Sequence, residues 1–184
     1  MIVGIDYDGT ITDTNSEKSK WIKANLAKEV PRWECDRTDC LQFIELEEYE
    51  RMANYVFERE STLISKPVPG AIKALELIVQ SSIIYIITAR PPHRIAYAEE
   101  WLLQYKLDSL ITGIESSTNT SKKQICEKFG VSVLIDDDYR HLKNIVSSEL
   151  RCILLQDGRP NEPKLDKGFE FCRSWGEVLR KLNL

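Results

Sequence analysis

The stretch Ile2-Val3-Gly4-Ile5-Asp6-Tyr7-Asp8-Gly9-Thr10 decides the fold class of this chain. Its apolar start predicts a short buried β-strand. Asp6 and Asp8 follow directly, and residues two apart in an extended segment point to the same side. Both carboxylates therefore face one way at the carboxyl end of the strand, where open α/β sheets bind ligands. Gly9 then permits a sharp exit from the strand.

Further short runs of β-branched residues alternate with amphipathic helical stretches, which is typical of a parallel sheet covered by helices on both faces. We predict additional strands at residues 83–87, 110–112, 131–135 and 152–155. Helical spacing predicts helices between them, opened at Pro69-Gly70 and at Pro92. A later helix is predicted from Leu142, Ile145 and Val146. The predicted fold class is α/β, a three-layer Rossmann-like parallel sheet.

One segment after the first strand breaks this alternation, because it contains helical patterns and no convincing strand. A helix capped by Asn15 or Ser16 is expected to begin it, and Asp13 could either cap this helix or line the entrance of the site. A second helix carries an apolar stripe made of Tyr49, Met52, Ala53, Val56 and Phe57. We predict that residues 15–66 form a small helical cap, inserted into an α/β core made of residues 1–14 and 67–184.

Composition and charge exclude several classes of protein. Of the 184 residues, 42% are hydrophobic and 29% charged, as in ordinary globular proteins and unlike disordered ones. The longest apolar run, residues 83–87, is far shorter than the roughly 20 residues of a membrane-spanning helix. No basic stretch precedes a long apolar one at the N-terminus, so we expect a cytoplasmic protein without membrane contact. The net charge of −4 and the dispersed lysines argue against nucleic acid as a partner.

The cysteines are five in number and contain no CxxC pair. Cys35 and Cys40, with four residues between them, could form half of a zinc site, but no second pair or histidine lies nearby. Free thiols in a reducing compartment are the better explanation.

A second acidic cluster, Asp136-Asp137-Asp138, follows another predicted buried strand and should reach the same sheet edge as Asp6. Carboxylates this close repel each other unless a cation or proton intervenes, which favours a hard divalent metal such as Mg²⁺. Asp137 or Asp138 can also cap the next helix.

Two further motifs provide groups that suit a phosphate. Thr88-Ala89-Arg90 ends the predicted strand 83–87, and a hydroxyl and backbone amides at that point can hold phosphate oxygens. Lys122-Lys123 opens a later helix. A site with several carboxylates and a phosphate needs a cation besides the metal, and either lysine could supply it.

Together these residues resemble the haloacid dehalogenase superfamily of phosphohydrolases, whose four motifs occur here in order outside the inserted segment. Asp8 matters because the dehalogenases of that superfamily lack the second aspartate, whereas its phosphotransferases have it. The chain is most similar to the small 5′(3′)-deoxyribonucleotidase-like branch. That similarity rests on Ile-Thr-Ala-Arg at 87–90, Leu-Ile-Asp-Asp at 134–137 and Trp-Gly-Glu-Val at 175–178.

The resemblance implies a phosphatase that hydrolyses a phosphate monoester through an aspartyl-phosphate, with a small phosphorylated substrate such as a nucleotide. Asp6 would be the nucleophile, and Asp8 would act as acid and then as base. Thr88, Ala89 and Lys122 would bind the phosphoryl oxygens. The spacing between the lysine and the fourth motif, Asp136-Asp137, resembles that of the family when the phosphate-binding lysine is Lys122 rather than its neighbour Lys123.

The resemblance also implies Mg²⁺ as cofactor. Asp6, the main-chain carbonyl of Asp8, and Asp136 would hold the ion, with Asp137 just outside this ligand set. The physical argument agrees, since a dianionic substrate cannot approach such an acidic cluster without compensating positive charge.

Three alternatives deserve comparison with this interpretation. A phosphomutase needs an acid/base residue on the cap, commonly histidine, and His93 and His141 both lie outside it. A non-catalytic phosphate-binding module would tolerate loss of Asp6 or Asp8, and both are present. A polynucleotide end-phosphatase fits the motifs but requires a basic groove. The nearest basic patch consists of Lys18, Lys20, Lys23 and Lys28.

Overall fold

The structure of the chain is a computed structural model that describes residues 1–143, 145 and 150–184. The strands of this part are β1 (Ile2–Ile5), β2 (Ile83–Thr88), β3 (Gly113–Ser116), β4 (Val133–Asp136), β5 (Arg151–Leu155) and β6 (Phe169–Cys172). They form one parallel sheet with the order β3-β2-β1-β4-β5-β6. The predicted α/β fold with a parallel sheet is therefore confirmed.

Helices fill the connections that parallel strands require. In the described residues they are α1 (Thr14–Leu26), α2 (Arg37–Cys40), α3 (Leu46–Val56), α4 (Arg59–Ile64), α5 (Ala71–Ile78), α6 (Pro92–Gln104), α7 (Lys122–Phe129), α8 (Tyr139–Leu142) and α9 (Trp175–Leu182). None of these helices has the length and apolar character needed to cross a bilayer.

The sheet is covered on both faces, because alternate residues of its strands belong to different hydrophobic clusters. In β4, Val133 and Ile135 belong to the cluster that also contains buried residues of α5, α6 and α9. Leu134 lies between them and belongs to the second cluster, together with residues of α7 and α8. This alternation gives the three-layer arrangement expected from the sequence.

The four helices α1 to α4 all lie between β1 and α5. Buried residues of this segment form a third cluster, made of Ile22, Val30, Cys35, Cys40, Ile44, Tyr49, Met52 and Val56. The apolar stripe predicted on the second helix of the insertion is confirmed, since Ala53 and Phe57 pack against the same cluster. Leu63 of α4 instead packs against the first cluster of the sheet.

Some predicted boundaries are wrong. Helix α1 begins at Thr14 and is capped by Asp13, whose carboxylate accepts from the backbone N–H of Ser16, so neither Asn15 nor Ser16 is the cap. The strand predicted at 110–112 is also misplaced. Residues Asp108–Leu110 form a 3-10 turn, and β3 begins only at Gly113.

Strand β6 was not predicted, and the predicted helical residue Val146 lies outside the described residues.

Register brings the ends of the three central strands together. Ile5 of β1 pairs with Ile86 of β2 on one side and with Ile135 of β4 on the other. The residues that follow these positions therefore share the carboxyl edge of the sheet, as predicted for the acidic motifs.

Candidate active site

The loop after β1 is held from several directions. Ile11 and Thr12 both donate backbone hydrogen bonds to the carbonyl of Tyr7, at 3.0 Å each. The buried indole N–H of Trp175 in α9 donates to the carbonyl of Thr10 at 3.0 Å. Gly9 adopts φ +80°, and a Cβ there would lie 2.1 Å from Oδ2 of Asp137. Only glycine is compatible with this close approach.

A buried lysine lies between two aspartates at the strand ends. Nζ of Lys122 donates to Oδ1 of Asp6 and to Oδ2 of Asp136, at 2.6 Å each. Helix α7 presents this side chain from its first residue, behind a capping box formed by Ser121 and Gln124. Burial alone would lower the pKa of Lys122, but the two carboxylates raise it above its ordinary value. The lysine is therefore charged.

The same lysine leaves the two aspartates with different pKa values. Burial raises the pKa of Asp6 to about 6, although the Lys122 ammonium opposes this. Burial would also raise the pKa of Asp136, but Lys122 and His141 bring it below its ordinary value. Nδ1 of His141 lies 3.3 Å from Oδ1 of Asp136, and the backbone N–H of Asp138 donates to that oxygen at 2.9 Å.

Asp137 is bound to the inserted helix α1. Nδ2 of Asn15 donates to Oδ2 of Asp137 at 2.6 Å, and Nζ of Lys18 donates to Oδ1 of Asn15 at 3.1 Å. Burial, followed by the charges of Asp6 and Asp136, holds the pKa of Asp137 well above its usual range. A cation beside Asp137 would therefore favour its ionised form.

The carboxylate of Asp8 forms a bidentate pair with the guanidinium group of Arg90. Arg90 donates from Nε to Oδ2 and from Nη2 to Oδ1 of Asp8, at 2.8 Å each. Oγ1 of Thr14 donates to Oδ1 at 2.8 Å as well. Burial would raise the pKa of Asp8, but the charge and hydrogen bonds of Arg90, with that of Thr14, lower it below its ordinary value. Asp8 is therefore ionised.

Thr88 and Ala89 line the same site at the end of β2. The hydroxyl of Thr88 is buried and accepts from the backbone N–H of Arg90 at 3.1 Å. Ser117 donates to the carbonyl of Thr88 at 3.1 Å, and Ser116 donates to that of Arg90 at 2.7 Å. These bonds from the end of β3 and the residue after it fix the turn that presents Ala89 to solvent.

A cavity of about 420 Å³ opens in front of these residues. Its core side includes Asp6, Asp8 and Thr88, and its opposite side is formed by the inserted helices, with Tyr49 and Phe57 among the lining residues. This volume falls in the range of sites for small molecules. A small phosphorylated compound fits such a space.

Three buried carboxylates in this site form a group that suits a divalent metal. Asp6, Asp136 and Asp137 each offer an oxygen, and these oxygens lie within 4.8 Å of one another. All three are hard ligands of the kind that Mg²⁺ prefers. Burial and the neighbouring carboxylates raise the pKa values of Asp6 and Asp137, although Lys122 opposes this at Asp6, so an added cation would stabilise the ionised group. The donor set and its charge therefore fit a divalent cation, and the side chain of Asp8, bound to Arg90, is not part of this group.

Other residues singled out in the sequence lie elsewhere. Lys123 is exposed, whereas its neighbour Lys122 is buried between the aspartates. Trp33 lines a much smaller recess and is not among the residues of the 420 Å³ cavity. Cys35 and Cys40 are free and buried in the third cluster. Among the described residues, the carboxylate group is the one set found with metal-binding spacing, so the zinc alternative has no support.

Sequence reasoning missed the partners that orient the aspartates. The sequence pattern gives Arg90 no role of its own beside Thr88, and it places Lys18 in a basic patch, whereas the structure buries both side chains. Asn15 was considered only as a helix cap. The one available signal was the presence of a basic residue two positions after the threonine that ends β2.

Comparison with known proteins agrees with this geometry. A sequence profile of the family described as 5′ nucleotidase, deoxy (Pyrimidine), cytosolic type C protein matches residues 1–182. The chain belongs to this family. The predicted resemblance to haloacid dehalogenase-type phosphohydrolases of the nucleotidase branch is confirmed, and the chain is a phosphoric monoester hydrolase. A sequence search of curated proteins gave no significant match.

Solved structures share the fold of this nucleotidase-family chain at low sequence identity. A predicted phosphoglycolate phosphatase from Haemophilus somnus has a TM-score of 0.65 and 15% identity, covering 98% of this chain and 97% of its own. The hydrolase YfnB from Bacillus subtilis, bound to magnesium, has a TM-score of 0.61 and 14% identity, covering 100% and 98%. A hydrolase from Deinococcus radiodurans with bound phosphate and sodium has a TM-score of 0.62 and 15% identity, covering 98% and 94%.

Proposed function

We propose that this chain is a Mg²⁺-dependent nucleotidase that hydrolyses a phosphate monoester through an aspartyl-phosphate on Asp6. The observation that carries the proposal is the position of Asp6. Its carboxylate lines a cavity of about 420 Å³ and is held by the buried ammonium of Lys122. The nucleotide as substrate follows from the description of the family.

In the first step, a carboxylate oxygen of Asp6 attacks phosphorus in line with the ester bond. A bond forms between Asp6 and phosphorus, and the bond from phosphorus to the leaving oxygen breaks. Lys122 and the hydroxyl of Thr88 bind phosphoryl oxygens, over which negative charge spreads in the transition state. Asp8, having first taken up a proton, gives it to the leaving oxygen.

In the second step, water attacks phosphorus of the aspartyl-phosphate, and the Asp6 carboxylate is released. Asp8 accepts the proton from that water as a general base. The lowered pKa of Asp8 favours the ionised form that this step requires.

Mg²⁺ would be held by Asp6, Asp136 and Asp137, together with the main-chain carbonyl of Asp8. When bound, the ion supplies the positive charge that lets a phosphate approach these carboxylates. Asp137 is included because its carboxylate, unlike that of Asp8, belongs to the group with metal-binding spacing.

Residues 15–66 are proposed to act as a cap that selects the substrate, because residues of this segment line one side of the cavity. The core, residues 1–14 and 67–184, carries the motif residues. A cytoplasmic location is also proposed, since all five cysteines are free, as in proteins of reducing compartments.

The test is a phosphatase screen over nucleotides, sugar phosphates and small organic phosphates, with Mg²⁺ and with excess chelator. We expect turnover of nucleoside monophosphates that requires Mg²⁺, and a covalent phosphoenzyme in rapid-quench samples. Asp6→Asn should remove both the phosphoenzyme and the turnover while the protein stays folded by circular dichroism. Full activity in excess chelator would contradict the metal assignment, and turnover by Asp6→Asn would contradict the nucleophile.

A further inference from the structure

Arg90 lines the cavity, and the proposed chemistry gives it no role. It is 3% exposed and occupies both carboxylate oxygens of Asp8. The third donor position, Nη1, donates to Oγ1 of Thr62 in helix α4 at 2.9 Å. Each of the three guanidinium nitrogens, Nε, Nη1 and Nη2, therefore donates to its own acceptor atom.

Two aromatic rings also hold this guanidinium group. Its central carbon lies 4.9 Å from the ring centre of Tyr7 and 5.4 Å from that of Phe57. Tyr7 stands between the two motif aspartates, and Phe57 follows helix α3. The guanidinium of Arg90 is thus fixed by residues from both sides of the cavity, which favours one orientation of its plane.

Helix α4, which carries Thr62, is in turn fixed to the core helix α6. The indole N–H of Trp101 donates to the carbonyl of Ser65, just after α4, at 2.8 Å. Arg94 of α6 also donates to Glu58, the residue before α4, at 2.6 Å. The hydroxyl of Thr62 is therefore a fixed point against which Arg90 can be oriented.

From these contacts we infer that Thr62 and Arg90 are positioning residues, which set the orientation of the Asp8 carboxylate for proton transfer. A bidentate pair fixes the rotation of a carboxylate, and Arg90 forms one with Asp8. Thr62 defines the guanidinium plane and so acts on Asp8 through Arg90. The inference rests on the proposed role of Asp8 as the base of the second step.

The consequence is kinetic and concerns one half-reaction. A misplaced general base slows hydrolysis of the phosphoenzyme, while attack on a substrate with a good leaving group needs little proton transfer. Phosphoenzyme should therefore accumulate when Thr62 loses its hydroxyl. A variant that is merely less folded would show a smaller active fraction and no accumulation.

The experiment compares four variants with the wild type, using p-nitrophenyl phosphate and Mg²⁺ in rapid-quench and stopped-flow assays. Thr62→Val keeps the shape of the side chain but removes the acceptor, and Thr62→Ser restores a hydroxyl. Ser61→Ala alters a neighbouring buried hydroxyl of the same helix and is the matched control. Arg90→Lys keeps the charge but cannot bind Asp8 and Thr62 with the same geometry, so it replaces Thr62→Val if that protein does not fold.

For Thr62→Val, we expect a burst of nitrophenolate, a higher fraction of phosphoenzyme, and a steady-state rate lower by about 10-fold. Thr62→Ser and Ser61→Ala should match the wild type. Unchanged phosphoenzyme in active Thr62→Val, or in Arg90→Lys in its place, would overturn the inference and leave the proposed function intact. No turnover and no phosphoenzyme from the wild type would instead overturn the proposed function, and the inference with it.

Discussion

Replacing Lys122 by methionine should destabilise the metal-free protein severely. Its ammonium is the shared partner of Asp6 and Asp136, at 2.6 Å from each, and both carboxylates are buried. Removing one partner of a buried ion pair costs about 3–5 kcal/mol, because the other charge remains without compensation. For a chain of this size, each kcal/mol lowers Tm by roughly 2–4 °C. We therefore expect Tm to fall by about 6–20 °C in chelator.

Thermal unfolding followed by circular dichroism measures this loss, and Lys123→Met is the matched control because that neighbouring side chain is exposed. The control should keep the Tm of the wild type. Added Mg²⁺ should raise the Tm of Lys122→Met more than that of the wild type, because the ion no longer competes with an ammonium group for the carboxylates. Equal Tm values for Lys122→Met and Lys123→Met would refute this account of the ion pair.

Three other outcomes are expected. Lys122→Ala should lower kcat by about 10² or more, the usual cost of one lost electrostatic contact to the transition state, whereas Lys123→Ala should leave it unchanged in the same phosphatase assay. Tyr49 lines the cavity and Trp33 does not, so replacing Tyr49 should change the order of preferred substrates in a screen more than replacing Trp33. If both variants gave the same order of substrates, the proposed role of residues 15–66 in substrate selection would be contradicted. Iodoacetamide at pH 8 should label the cysteines of the native protein slowly. Burial raises the pKa values of the five thiols to about 11 or 12, so the thiols stay protonated. After unfolding in urea, mass spectrometry should find five labels.

The main features of the fold could be predicted because each depends on local pattern. The β-branched run of β2 and the apolar start before Asp6 specify buried strands wherever they lie in the sheet. Strand β6 was missed because its sequence, Phe-Glu-Phe-Cys, is short and half-buried and gives no buried-strand signal. The helix cap was misplaced because Asp13, Asn15 and Ser16 are all good capping residues, and pattern alone does not choose between them.

The residues of the site likewise include some that the sequence predicts and some that it does not. The residues that the fold brings to one edge of the sheet could be named, since strand ends determine where they lie. Their partners could not, because the bond from Asn15 to Asp137 joins residues 122 positions apart, and the bond from Arg90 to Asp8 joins residues 82 positions apart. The first contact depends on how helix α1 lies against the sheet, and the second on which way the Arg90 side chain turns after β2; hydrophobic spacing specifies neither.

The hydrogen bond from the indole of Trp175 to the carbonyl of Thr10 joins parts of the site that are synthesised at different times. The loop with both motif aspartates is made before the side chain that fixes it, which follows 165 residues later in the sequence. At about 5–20 residues per second, that interval lasts roughly 8 to 33 s. The loop of a nascent chain is therefore without this anchor until the segment with Trp175 has been made and α9 has packed against the loop.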